Sequence, residues 1–269
     1  DLPQVVNPHS GYVFNTNNTP YNCTDPADNP NPRNYDHTMG IETFELNRSV
    51  RVGELMKQYD KISYDDFKTI KYDLQLPSQL KYSVDMAGLF LLSKEEYPEL
   101  EDLITILKNW DKKATIQSQG ATAFLLTYHQ LRNQYNQGIS ITKETIVDAL
   151  RQTKEHLIKY FGKVDVPLGN LQRHTRGKVS LACPGIPDVL RAMDSKPTED
   201  GRLRAYQGES YIELVRFSKN GLPEIETVNA YGASNHPDSE HYTDQMEMFV
   251  HQKTKKMTLD KQTVLKEAR

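Results

Sequence analysis

Apolar side chains begin to recur at helical spacing near Ser49, where Val52, Leu55, Met56 and Tyr59 share one face. Ser63, followed three residues later by Asp66, has the form of a capping box, and Phe67, Ile70, Lys71 and Leu74 continue the helix it opens. Leu100, Leu103, Ile104, Leu107 and Trp110 then fall on one amphipathic face. Phe124, Tyr128, Leu131 and Tyr135 repeat the period up to Gly138, a natural helix stop. Thr142 caps a further helix carrying Ile146, Val147, Leu150, Leu157 and Ile158. Residues 48–162 are therefore predicted to be mostly helical.

The period changes after Gly162. Residues 163–200 are rich in Gly and Pro and read as strands and loops. Tyr211 to Phe217 is β-branched and aromatic, and Glu224 to Tyr231 offers a second such run. Asn220-Gly221 between them predicts a hairpin. A short helix is expected from Asp238 to Val250, capped by Asp238 or Ser239, with His241 and Tyr242 packed inward. Before the helices, residues 1–47 read as irregular. Asp25-Pro26-Ala27-Asp28-Asn29-Pro30-Asn31-Pro32 admits neither helix nor central strand, and Cys23 to Met39 is expected to be a mobile surface loop. Helices first and a hairpin late give an α+β chain in three stretches, 1–47, 48–162 and 163–269, the last completed by a C-terminal helix.

Composition narrows the function classes. The 269 residues carry 33 Lys plus Arg against 36 Asp plus Glu, a net charge of −3, which offers no footprint for nucleic acid or an anionic membrane. A run such as Leu89-Phe90-Leu91-Leu92 is far short of the roughly 20 apolar residues that a membrane helix needs. Asp1-Leu2-Pro3-Gln4 lacks a basic region leading into an apolar run and is not expected to be an uncleaved signal peptide. The two cysteines, Cys23 and Cys183, suit a disulfide in an oxidising compartment and two buried thiols equally well. Neither a Gly-x-Gly-x-x-Gly nor a Gly-Lys-Ser/Thr phosphate loop occurs.

Two segments could carry chemistry. In Asn7-Pro8-His9-Ser10-Gly11-Tyr12-Val13-Phe14-Asn15-Thr16-Asn17-Asn18-Thr19-Pro20, three asparagines precede a proline. An Asn amide held in place can donate to a developing oxyanion, although Asn beside Pro is also an ordinary turn former. The second segment, Tyr231 to Gln245, concentrates His236, Asp238, Glu240, His241 and Asp244. Its spacing matches neither His-Glu-x-x-His nor a zinc finger, so a metal site at His236 and His241 is not expected. A Ser234, His241 and Asp244 triad is disfavoured as well, because triad members converge from distant positions.

Together these segments resemble the penicillin acylase family, which includes acyl-homoserine lactone and aculeacin-type acylases. The early segment is similar to the family's Asn-rich stretch. Gly208-Glu209-Ser210-Tyr211, Tyr231-Gly232-Ala233-Ser234, Pro237, Ser239, His241-Tyr242 and Asp244-Gln245 resemble its C-terminal signature. A helix begun by an Arg, matched here at Arg51, and a helical region ending near Trp110-Asp111 lie between them.

The resemblance implies an N-terminal-nucleophile hydrolase with a four-layer αββα core, in which a precursor cuts itself and the new N-terminal residue of the β-chain attacks an amide carbonyl. It assigns the oxyanion donor to Asn17 and a site-organising charge to Arg51, with Arg48 as the second choice. Position 1 is Asp and the first hydroxyl is Ser10, so the chain is expected to be the C-terminal part of the β-chain. The nucleophile, the backbone oxyanion donor, most of the acyl pocket and any structural calcium would lie upstream, with no cofactor in this chain. The resemblance further implies an upstream β-chain segment and an α-chain as partners, a small N-acyl substrate, and a periplasmic or secreted location. It points to amide-bond hydrolysis and antibiotic metabolism for the whole protein, with this chain inactive alone. The alternative is a non-catalytic binding or scaffold module of the same ancestry.

Overall fold

The computed structural model describes residues 2–219 and 221–267. Helix α1 spans Asn47–Met56, α2 Tyr64–Lys71, α3 Glu101–Lys108, α4 Gln119–Asn136, α5 Lys143–Phe161 and α6 Leu168–Leu171. Strands β1 Gln172–Arg176, β2 Val179–Ala182, β3 Met193–Pro197 and β4 Leu203–Gly208 form one sheet in the order β2-β1-β4-β3. Its β1–β4 pair is parallel and its outer pairs are antiparallel. Strands β5 Tyr211–Arg216, β6 Glu224–Asn229 and β7 Lys255–Met257 form a second, antiparallel sheet. Helices α7 Met246–Val250 and α8 Lys261–Glu267 complete an α+β chain.

Helix starts follow local hydrogen bonding. Ser63 Oγ accepts from the Asp66 N–H at 3.1 Å while Asp66 accepts from the Ser63 N–H at 2.9 Å, the reciprocal capping box read from sequence. Thr142 caps α5 in the same way, and Gly162, with φ of 70°, ends it. Helix α1 starts earlier than its apolar pattern suggests. Ser49 Oγ accepts from the Leu46 N–H at 3.1 Å, and the Asp188 carboxylate accepts from the Asn47 N–H at 2.8 Å. An anion at this end also suits the helix dipole. As a consequence Arg48 lies in the first turn and Arg51 lies mid-helix, not at the start.

Two apolar clusters hold these elements. In the larger, Leu103, Ile104 and Leu107 of α3 pack with Phe124, Leu125 and Leu131 of α4 and Val147, Leu150 and Leu157 of α5. Trp110 lies over Gly120, where a Cβ would meet the indole Cγ at 2.2 Å, so only glycine allows this approach. The sequence places Tyr135 and Ile158 on the buried faces, yet both are about half exposed. Tyr135 sits in the final turn of α4, and Ile158 lies off the face of α5 that packs through Leu157 and Phe161. The smaller cluster joins the sheets through Met193 and Ala205 of the first, Ile212, Leu214 and Val228 of the second, and Phe249 of α7.

Other expectations change in detail. The hairpin forms with Arg216 opposite Glu224, so its connection is longer than a two-residue turn; Asn220 lies outside the described residues, as does Asp1. Neither Asp238 nor Ser239 caps a helix, because α7 begins only at Met246. His241 is exposed, its ring nitrogen 2.9 Å from Asp244 Oδ2. Residues 22–39 are tied internally rather than free. Asn29 Oδ1 accepts from the N–H groups of Cys23 and Thr24, and Asn31 and Asp36 cap two short 3-10 turns. Cys23 and Cys183 are both free thiols.

Candidate active site

The Asn-rich segment folds as a turn whose three asparagines play different parts. Asn15 Oδ1 accepts from the Asn17 N–H at 2.7 Å. Asn18 Oδ1 accepts from the Thr16 N–H and hydroxyl, and its amide nitrogen donates to the Thr19 and Asn22 carbonyls. Asn15 and Asn18 thus serve turn chemistry. Asn17 differs. Its φ is 64°, in the left-handed region, and its exposed side chain turns to α1. There Oδ1 accepts from both terminal nitrogens of Arg48 at 3.2 Å. A guanidinium only donates, so the atom facing it must be the amide oxygen, which fixes the amide's orientation. No acceptor engages Asn17 Nδ2 among the described residues.

Arg48 is itself fixed, since its Nε donates to Asp188 Oδ1 at 2.8 Å. The same carboxylate caps α1, so one acidic residue sets the helix start and the direction of the guanidinium. Asp188 also adopts a positive φ of 66°, tolerable for Asp. Arg51 points elsewhere. Its Nε and Nη2 bind the two oxygens of Asp73 at 3.0 and 2.9 Å, and Nη1 donates to Glu54 at 3.1 Å. These interactions tie α1 to the residues following α2, and Arg51 is not among the residues bordering the cavity next to Asn17.

That cavity has a volume of about 690 Å³. Asn17 and Arg48 border it together with Val52 of α1, Ile70 and Lys71 of α2, Asp188, Met193 and Asp194 of β3, and Glu209 after β4. Gly208 brings Glu209 there. Its φ is 142°, and a Cβ would fall 2.3 Å from the Ala192 carbonyl oxygen. Burial alone would raise the Asp194 carboxyl, but hydrogen bonds from His129, Arg132 and the Ser195 N–H outweigh it and hold the group far below the usual carboxylate range. Lys71 is pushed down to about 8 by its burial and by the Arg191 guanidinium.

The cavity lining gathers residues that sequence reading singled out, Asn17 and Arg48, with four it gave no role: Lys71, Asp188, Asp194 and Glu209. Glu209 was visible within the Gly-Glu-Ser signature. Asp188 and Asp194 had no local signal, because each acts on a partner far away in the chain. Ser10 stays in the loop, where its hydroxyl lies 2.8 Å from that of Thr24.

The late segment is mainly structural. Gln245 accepts from the Asn229 N–H and donates its own N–H to the Tyr231 carbonyl, joining β6 to α7. Ser234 Oγ accepts from the His236 N–H at 3.1 Å, and among the described residues it has no bond to the His241 ring. No group of three or more His, Cys, Asp or Glu side chains comes together as a metal site among the described residues.

The sequence matches the penicillin amidase family over residues 1–266. It is 25% identical over 166 residues to the acyl-homoserine lactone acylase PvdQ of Pseudomonas fluorescens strain Pf-5, covering 53% of this chain and 21% of that protein. It is 23% identical over 226 residues to the protein of the same name from Pseudomonas syringae pv. syringae, covering 73% and 28%. The chain thus spans about a quarter of the length of these curated relatives. A thermostable penicillin G acylase from Alcaligenes faecalis aligns with 98% of this chain and 56% of its own, at 14% identity and a TM-score of 0.47.

Proposed function

The chain belongs to the penicillin amidase family, and on that premise we propose that it is the C-terminal part of an acylase β-chain that hydrolyses the amide bond of N-acylated small molecules. Its two sheets contribute to a four-layer αββα core completed by an upstream β-chain segment and an α-chain. The nucleophile lies upstream and forms an acyl-enzyme. The whole protein is periplasmic or secreted and serves antibiotic or related small-molecule metabolism, and this chain is inactive alone.

The observation that carries this reading is the Asn17 amide. Its Oδ1 is taken by Arg48, and its Nδ2 is left as a neutral donor at a cavity wall. Attack on an amide carbonyl moves negative charge onto the carbonyl oxygen. A donor already aimed there stabilises the tetrahedral intermediate without reorganising. Arg48 polarises the amide from its oxygen side and strengthens the N–H as a donor, while Asp188 balances most of the added charge. Arg48 is therefore the positioning residue in this reading, and Arg51 holds α1 in place. Any structural calcium would take its ligands from the upstream part.

Native mass spectrometry of the protein as isolated, with amine release from N-acyl substrates, tests this. A second chain beginning with Ser, bound one-to-one, and released amine support a processed acylase. A lone 30.9 kDa chain is the isolated C-terminal fragment, inactive as proposed, whereas an assembly with a Ser-initiated chain that releases no amine contradicts the reading and leaves the non-catalytic module.

A further inference from the structure

A second cavity, of about 510 Å³, is bordered by residues 78–90 and by the C-terminal end of α3 with the turn that follows it. It shares no lining residue with the cavity beside Asn17. Small-molecule sites fall in this size range, about 300–1,000 Å³. The floor is apolar. Val84, Met86 and Leu107 are each 1% exposed, and Phe90 and Trp110 stand beside them with ring centroids 6.5 Å apart and planes at 20°. The polar tips of its aromatic side chains are engaged elsewhere. The Tyr82 hydroxyl donates to the Pro187 carbonyl at 2.6 Å, and Trp110 Nε1 donates to the Lys113 carbonyl at 2.8 Å. The rings therefore offer the cavity apolar surface and no donor.

The mouth is charged. Lys108 and Lys112 border it, with Asp85 as the one acid among the described lining residues. Neither lysine is in an ion pair among the described residues, unlike Lys68, Lys94 or Lys143. Lys112 folds over the rim, where its Nζ lies 5.5 Å from the Phe90 ring centroid and donates to the Ser78 carbonyl at 3.3 Å. An ammonium has three donors, so two remain for a ligand. Asp85 Oδ1 accepts from the Ala87 N–H at 2.9 Å, and one carboxylate does not balance two cations.

The wall is held in place without a ligand. Glu54 Oε1 accepts from the Ser78 N–H at 2.9 Å and from its hydroxyl at 2.6 Å, and Asn47 Oδ1 accepts from the Lys81 N–H at 2.7 Å. Both acceptors belong to α1. A pre-formed wall spares a ligand the cost of ordering it.

We propose that this cavity binds an apolar monocarboxylate of the fatty-acid type, its chain against Phe90 and Trp110 and its carboxylate between Lys108 and Lys112. A cation would be repelled by both ammonium groups, and a small inorganic anion would leave the apolar floor in water. The site stands apart from the acylase reading, and no bond is made or broken there.

The test labels the complete protein with 5-fluorotryptophan and assigns the Trp110 resonance by its loss in Trp110→Phe. Octanoate, nonanoate and decanoate should each move that resonance saturably, with affinity rising about threefold to fourfold per added methylene. Decanamide has the same chain without the charge and should bind about fivefold or more weakly, a gap that added salt narrows. The double variant Lys108→Met, Lys112→Met should bring the ratio of the two affinities to about one. Arg48→Ala, at the other cavity, should leave the Trp110 titration unchanged. A resonance that stays still through the decanoate titration, as when another segment of the complete protein fills the cavity, overturns the inference. Equal binding of acid and amide, a preference that survives the double variant, or loss of the shift in Arg48→Ala overturns it as well.

Discussion

Arg48 donates both terminal guanidinium nitrogens to the side-chain oxygen of Asn17, at 3.2 Å each, and so fixes the orientation of that amide beside the cavity. The residues stand 31 positions apart, one in a turn and one in the first turn of a helix. In the proposed enzyme this clamp makes a turn-forming residue into an oriented donor. Arg48→Ala frees the amide to rotate and should lower kcat by roughly tenfold to a hundredfold, with KM less affected. Arg48→Lys keeps the charge and loses the two-pronged contact, so it should restore only part of the loss. Steady-state kinetics on one N-acyl substrate check both.

Arg51 should read differently. Its bidentate contact with Asp73 and its bond to Glu54 are shielded, the three side chains being 12%, 16% and 25% exposed. Arg51→Ala leaves Asp73 half-buried and unpaired, at a cost of about 2–3 kcal/mol. Arg51→Lys should recover part of it, because a single ammonium cannot reproduce the fork. Urea unfolding midpoints at neutral pH separate the variants.

Asp194 sets a limit on acid stability. Hydrogen bonds from His129, Arg132 and Ser195 outweigh the effect of burial and keep its folded-state carboxyl far below the unfolded value of about 4. A depressed carboxyl contributes stability that is fully present above the unfolded value. That contribution disappears as pH falls through the folded one, where both states are protonated. Asp194→Asn should therefore be destabilised by about 3 kcal/mol at pH 7 and show a shallower loss of stability below pH ~4 than the wild type. Chemical unfolding across that pH range checks the sign.

Gly120 lies in α4, where helix propensity alone favours Ala by about 1 kcal/mol. The Trp110 ring opposes it, since the new Cβ would lie 2.2 Å from the indole Cγ, and Trp110 cannot retreat easily while its Nε1 donates to the Lys113 carbonyl at 2.8 Å. The clash should win. Gly120→Ala is expected to cost at least ~2 kcal/mol and to shift the fluorescence of Trp110, the single tryptophan.

What the sequence made legible follows the range of the interactions involved. The capping box at Ser63, the cap at Thr142 and the α3 face from Leu103 to Leu107 depend on neighbours a few residues away and form as read, while the β5–β6 hairpin forms with a longer connection than the Asn-Gly turn predicts. The start of α1 does not follow its local pattern, because Asp188, 141 positions from Asn47, caps it. The site divides in the same way. Asn17 stood out in an unusual local segment. Arg48 ranked below Arg51 because choosing between them requires knowing where Asp73 and Asp188 fall. Lys71 and Glu209 look like ordinary surface charges until the buried Arg191 is placed behind them.

The most direct test of the account is the turnover of Asn17→Ala in the complete protein on an N-acyl substrate. Loss of the Nδ2 donor should lower kcat by roughly 10²–10³ while KM changes far less, because the contact is made with the oxyanion and not with the ground-state carbonyl. A variant whose kcat stays within about twofold of the wild type, below the ~0.4 kcal/mol such a ratio represents, would contradict the assignment of Asn17 as the oxyanion donor.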